Sequence, residues 1–163
     1  KKLSQAIAIS ALKFNNLKSF RTLDVVFDWE QMLDFSGDTS VYLQYTYARI
    51  NKILFKSKKI KNKNLKIDYK SLSHPLEIQL VKKLSEFPEI IKLSALKYAP
   101  NYLATFLLSL ADLTNKYYES VPILKDKSLN LNRILAQLVL LECITDVIEK
   151  GFKILGVQAL KEI

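Results

Sequence analysis

At 163 residues, 49% hydrophobic and 25% charged, the chain has the size and balance of one medium domain with a buried core, far from the polar composition of disordered chains. Three glycines and four prolines are too few for the closely spaced turns of an all-β fold, so helices are expected; the same scarcity excludes a glycine-rich phosphate loop, and one histidine (His74) with one cysteine (Cys143) cannot alone make a zinc site. Net charge is +9, with 14 basic and 7 acidic residues in 1–81 against 11 and 9 in 82–163, a first-half surplus that favours a polyanionic partner.

The chain opens Lys-Lys without methionine, which reads as a piece of a longer protein. No apolar run reaches the ~18 residues of a membrane span, and the opening lacks a signal-peptide cleavage site. A lone cysteine forms no intrachain disulfide, which fits a reducing compartment, and a cytoplasmic location is expected. Leu3, Ala6, Ile7, Ala11, Leu12 and Phe14 recur at helical spacing and predict an amphipathic helix over 2–17. From Leu17 to Gly37 periodicity is lost, yet Phe20, Val25, Val26, Phe27, Trp29 and Phe35 are too apolar for a free linker; an ordered loop with a short helix after Asp28 is expected. Asp38 or Thr39 is placed to cap the next helix. Residues 56–66 hold six lysines and no acid, which reads as an exposed connection. Pro75, Pro88 and Pro100 mark three helix starts, the last opening a leucine-rich helix over Asn101–Tyr118 that Pro122 stops. Leu129–Lys150 reads as a long helix closed by Gly151. Five or six helices joined by short breaks describe an all-α bundle.

Catalytic constellations are sparse. His74 beside Pro75 reads as a surface or capping residue, Cys143 within VLLECITDVI as a buried thiol, and Asp24, Asp28, Glu30 and Asp34, without a calcium-loop glycine, as caps and solvated charges. No catalytic residue or metal ligand is assigned. More informative are Tyr42, Tyr45, Arg49, Lys52 and Lys56, which alternate spacings of three and four and so form one strip along a helix. The strip fits two roles. Tyrosine and guanidinium planes can stack unpaired RNA bases while lysines neutralise phosphates, or the tyrosines can line a core edge with a charged rim.

Residues 27–50, FDWEQMLDFSGDTSVYLQYTYARI, resemble a signature of the arginyl-tRNA synthetases: Phe-Asp-Trp-Asp, then Leu and Phe, then Gly-Asn-Thr-Gly-Pro-Tyr-Leu-Gln-Tyr-Ala-His-Ala-Arg-Ile. AIAISALKFNNL, LVKKLSEFPEII, LADLTNKYYESVPIL and the tail KGFKILGVQALKEI are similar to further stretches of that family, so the resemblance covers essentially the whole chain. Asp38 replaces the usual Asn, Ser40 and Val41 the Gly-Pro, and Tyr47 the frequent His. The resemblance implies residues 1–35 as the end of a catalytic domain or a junction, and 36–163 as an all-α helical bundle of the class I synthetase anticodon-binding type. It implies tRNA for arginine and the catalytic domain of the same chain as partners, with no membrane or DNA. Tyr42, Gln44, Tyr45, Tyr47, Arg49, Lys52, Lys56, Asn101, Tyr102, Asn115 and Tyr118 are the tRNA-binding candidates. The family's two ATP-site motifs, of the His-x-Gly-His and Lys-Met-Ser-Lys types, are absent, so ATP and magnesium are expected of the full-length arginine–tRNA ligase and no cofactor of this piece. Two other readings are a stand-alone helical protein-interaction module and the anticodon-binding domain of another class I synthetase.

Overall fold

Asp28, Thr39, His74 and Asn130 each start a helix by accepting hydrogen bonds from amides that a first turn leaves without partners. In the computed structural model, which describes residues 2–57, 67–121, 123 and 130–161, these caps organise an all-helical chain with no strand among the described residues. Helix α1 is Lys2–Lys18, and α2 is the four-residue Trp29–Met32 expected after Asp28. Helix α3 is Ser40–Lys56, begun by Thr39, whose hydroxyl accepts from Tyr42 N at 3.0 Å and donates to Asp34 O at 2.6 Å. Of the lysine run only Lys56 and Ser57 fall among the described residues; 58–66 lie outside them. A 3-10 turn at Tyr69–Ser71 precedes α4, Pro75–Ser85, and α5 follows as Phe87–Leu96 with Pro88 in its first turn.

Helix α6, Asn101–Ser120, is the centre of the molecule. Leu103, Leu107, Leu110 and Tyr117 are buried together with Ala104 and Ala111, and the helix is packed by α1, α3, α4, α5 and the last helix, α7, with Thr105, Asp112, Lys116 and Glu119 left on one exposed stripe. It ends at Ser120, and Pro122, expected to stop it, lies outside the described residues. Helix α7, Leu131–Leu155, runs past the expected stop at Gly151. Gly151 serves close approach instead: a Cβ there would lie 2.7 Å from both δ-methyls of Leu107, so glycine lets α7 settle onto α6. The helix closes at Gly156, whose φ of 66° places it in the left-handed region, with Val157 N bonding Phe152 O at 2.9 Å. Cys143, expected to be buried, is exposed. Leu140, Leu141, Ile144 and Ile148 face the core, and residue 143 falls outside that 3.6-residue spacing.

Two features join distant parts of the chain. The fully buried Glu77 carboxylate accepts from Tyr117 Oη and Gln137 Nε2 at 3.0 Å, from Arg133 Nη2 at 3.3 Å and from His74 N at 2.9 Å, linking α4, α6 and α7. Burial and the Glu77 charge raise the pKa of Tyr117. Beyond Gly156, residues 157–160 lie across α1 and α3: Gly156 O accepts from Lys13 Nζ at 2.9 Å, Gln158 N donates to Ser10 Oγ at 3.3 Å, and Gln158 O accepts from Gln44 Nε2 at 2.8 Å. Val157, Leu160 and Phe14 of α1 are buried, so α1 shares one packed interior with α3, α6 and α7.

Candidate functional site

The predicted strip on α3 is divided by its packing against α6, which runs beside it in the same direction: Tyr42 meets Asp112, and Arg49 meets Asn115 and Tyr118. Tyr42 is the anchored end. Its half-buried phenol donates to Asp112 Oδ1 at 2.7 Å and accepts from Asn115 Nδ2 at 2.9 Å, and burial, with a contribution from Asp112, raises its pKa. Tyr45, one turn on, is 42% exposed, with its ring edge-on to Phe35 at 6.4 Å. The Arg49 guanidinium carbon lies 5.6 Å from the Tyr45 ring centre and 4.2 Å from that of Tyr118, within cation–π range of both. Lys52 and Lys56 continue the strip in solvent.

Asn115 stands behind Arg49. Its Nδ2 donates to Tyr42 Oη and Thr46 Oγ1, both at 2.9 Å, and its Oδ1 accepts from Arg49 Nη1 at 3.4 Å. Both ends of the amide are therefore engaged within the protein, which makes Asn115 a residue that positions Arg49. One guanidinium nitrogen bonds Asn115, and the fork carries four further N–H donors.

Two candidates are corrected by burial. Gln44 is fully buried and holds Gln158 O, and Tyr47 is buried, donating to Glu149 Oε2 at 2.9 Å with its ring against Phe152 at 6.2 Å. Two residues apart on a helix, Tyr45 and Tyr47 point about 200° apart, so one faces solvent and the other the core. Asn101 and Tyr102 are also not brought to the strip: they start α6, about 25 Å along the helix from Tyr118 at its usual rise. Conversely, Phe35 and Thr46 were not among the sequence candidates; both lie inside the signature segment, which was the available signal.

Burial and the Glu149 carboxylate push the Tyr47 phenol up to about 12. An unfolded tyrosine ionises near pH 10, so this stabilisation is complete below that value and is lost as pH rises towards about 12. Tyr47→Phe should cost about 0.5–1.5 kcal/mol at neutral pH, and the difference from the parent should shrink in urea titrations above pH 10. A difference that stays constant across that window would show that Tyr47 does not carry the alkaline dependence.

Two acidic residues of the loop serve local structure: Asp28 caps α2, and hydrogen bonds from the Ser36 amide and hydroxyl hold the Asp34 carboxyl below its usual pKa. Among the described residues no group of three or more His, Cys, Asp or Glu is arranged to hold a metal. Gly37 sits in a turn, Gly151 under Leu107 and Gly156 in a helix cap. No helix of the described residues is long and apolar enough to cross a membrane. What the strip can do is offer one exposed aromatic ring, a guanidinium oriented over two rings, and ammonium groups beyond them. That combination suits stacked bases and phosphates.

Residues 43–163 match the family described as the DALR anticodon binding domain. The chain is similar to the arginine–tRNA ligase of Clostridium botulinum, 35% identical over 162 residues that cover 98% of this chain and 28% of that protein. The arginine–tRNA ligase of Pasteurella multocida is 36% identical over 154 residues, 94% of this chain and 27% of that one. The solved structure of Thermus thermophilus arginyl-tRNA synthetase superposes with a TM-score of 0.84 at 27% identity, covering 96% of this chain and 26% of that one. That of Plasmodium falciparum arginyl-tRNA synthetase, at 24% identity and a TM-score of 0.82, shares the fold. The chain thus spans little more than a quarter of the curated relatives it matches.

Proposed function

The chain belongs to the DALR anticodon-binding domain family, and from that premise we propose that it is the anticodon-recognising part of an arginine–tRNA ligase, with the strip Tyr45–Arg49–Tyr118–Lys52–Lys56 as its RNA face. The observation that carries the reading is the Arg49 guanidinium set over the Tyr45 and Tyr118 rings and tied to Asn115. A cation oriented before binding gives up little side-chain freedom when it meets a phosphate or a base edge. Tyr45 supplies the stacking surface, Lys52 and Lys56 the phosphate contacts, and Tyr42 and Asn115 the frame that holds Arg49.

Residues 36–163 form the recognising bundle in this reading, and residues 1–35 lead from the catalytic part of the same polypeptide. That part joins arginine to its tRNA using ATP and magnesium, in the cytoplasm, and its ATP chemistry lies outside the residues described here. The test is titration of the chain with tRNA for arginine, and with the same tRNA altered only in the anticodon loop, at several salt concentrations. Phosphate contacts give a steep salt slope and base contacts a preference for the unaltered loop; a protein-interaction module would show neither. A tRNA of different identity competing best would instead assign the domain to another class I synthetase.

Tyr45→Ala should weaken tRNA binding by about 1–3 kcal/mol, the usual value of one stacked base, with little change in melting temperature because the ring is 42% exposed. A large drop in melting temperature with intact affinity would return Tyr45 to the core and place the RNA face elsewhere.

A further inference from the structure

Beside the strip on α3, helix α6 carries a second row. Asp112, Asn115 and Tyr118 follow at intervals of three and so share one face. Each touches α3: Asp112 Oδ1 accepts from Tyr42 Oη at 2.7 Å, Asn115 bonds Tyr42, Thr46 and Arg49, and the Tyr118 ring centre lies 4.2 Å from the Arg49 guanidinium carbon. Asn115 and Tyr118 hold Arg49. Asp112 is an exposed carboxylate beside a strip whose own charges, Arg49, Lys52 and Lys56, are all positive.

A carboxylate repels phosphate, so Asp112 lowers the attraction of this face for any RNA backbone. Among the described residues no cation lies within 4.0 Å of it to cancel that charge. The bond from Tyr42 does not require the charge, because a neutral amide oxygen would accept the same proton. What a carboxylate has and an amide lacks is a second oxygen that only accepts. Oδ1 takes the Tyr42 proton, and Oδ2 has no hydrogen-bond partner among the described residues. The chain of bonds from Asp112 through Tyr42 and Asn115 to Arg49, at 2.7, 2.9 and 3.4 Å, fixes an acceptor on one side of Asn115 and a fork of donors on the other. Phosphodiesters have no proton to give an acceptor. Cytosine, adenine and guanine do, through their exocyclic amino groups.

We propose that Asp112 determines specificity on this face, its Oδ2 accepting a hydrogen bond from the amino group of an unstacked anticodon-loop base while the lysines of the strip meet the backbone. This rests on the ligase reading above. A base without the amino group meets the same negative charge and forms no bond with it, so the carboxylate lowers general affinity and raises discrimination.

Asp112→Asn tests this, since it keeps an oxygen for Tyr42 and turns an NH2 group outward, exchanging an acceptor for a donor at nearly constant shape. Glu119→Gln is the control, because it removes the same charge from the same exposed stripe without a tie to Tyr42. Dissociation constants of the chain are measured for tRNA for arginine and for forms in which each anticodon-loop cytidine, adenosine or guanosine is replaced in turn by the analogue lacking only the exocyclic amino group. One replacement should weaken binding of the parent, and in Asp112→Asn that penalty should shrink about tenfold or more, the worth of a charged hydrogen bond. Glu119→Gln should bind every tRNA slightly more tightly and keep the penalty. An intact penalty in Asp112→Asn, with all tRNAs bound more tightly, would reduce Asp112 to a repulsive charge; with a lowered melting temperature, to a support for Tyr42. Equal loss of the penalty in Glu119→Gln would assign it to the field of the stripe, and no penalty in the parent would mean that no amino group is read. Each of these overturns the proposal and leaves the ligase reading standing. That reading fails separately, and this inference with it, if the parent shows no salt-dependent, loop-sensitive tRNA binding.

Discussion

Glu77→Ala is expected to destabilise the bundle by about 3–5 kcal/mol, the range for removing one member of a buried, hydrogen-bonded charge pair, out of a total of about 5–15 kcal/mol for a domain of this kind. The carboxylate is the common acceptor for Tyr117, Gln137, Arg133 and the His74 amide. Its loss leaves the fully buried Tyr117 hydroxyl and Gln137 amide without that partner, and a guanidinium only part-exposed to solvent. Glu77→Gln keeps the volume but replaces one acceptor oxygen with an NH2 group facing donors, so it should fall between the parent and alanine. Urea denaturation followed by circular dichroism measures both. A loss below about 1 kcal/mol for alanine would mean that desolvating the pair offsets nearly all of its attraction.

Arg49→Ala should reduce affinity for tRNA about 10- to 100-fold, corresponding to the ~1.5–3 kcal/mol of a charged hydrogen bond, with little effect on folding because the residue is only part-buried. Arg49→Lys restores charge without the planar fork, so it should recover phosphate attraction but neither the stacking nor any bidentate contact. The ratio of affinities for the unaltered and anticodon-altered tRNA then separates two roles: a ratio that falls in both variants means Arg49 reads a base, and an unchanged ratio means it positions the backbone. Affinity equal to that of the parent in Arg49→Ala would remove this residue from the RNA face.

What the sequence revealed about this molecule was mostly what depends on neighbours in the chain. The caps at Asp28, Thr39 and His74, and the proline-marked starts of α4, α5 and α6, are local chemistry and lie where they were expected. Gly151 and Gly156 look alike in a sequence, and only Leu107, forty-four positions away, decides that the first is a contact and the second a stop. The strip on α3 shows the same division. Its helical spacing was legible, whereas the pairing of Arg49 with Tyr118 and the engagement of Asn115 depend on how α3 crosses α6. The resemblance supplied Gln44 and Tyr47 together with Tyr45 because a signature does not distinguish core from surface. Cys143 could have been placed outside the core by counting from Leu140, Leu141, Ile144 and Ile148, but a run of apolar neighbours outweighed the periodicity.

The segment 156–160 bears on how the protein is made. Its bonds to Lys13, Ser10 and Gln44 span 143, 148 and 114 positions, so the helix that carries Tyr45 and Arg49 leaves the ribosome well before the residues that brace it from behind. At about 5–20 residues per second, α3 waits roughly ten seconds for Gln158. During that interval Gln44 is a buried-type side chain without its carbonyl, and α1 and α3 have an open seam where Val157 and Leu160 belong. The strip is therefore braced only once residues 156–160 have been made, and a nascent chain halted before residue 156 would display it on a helix not yet locked in place.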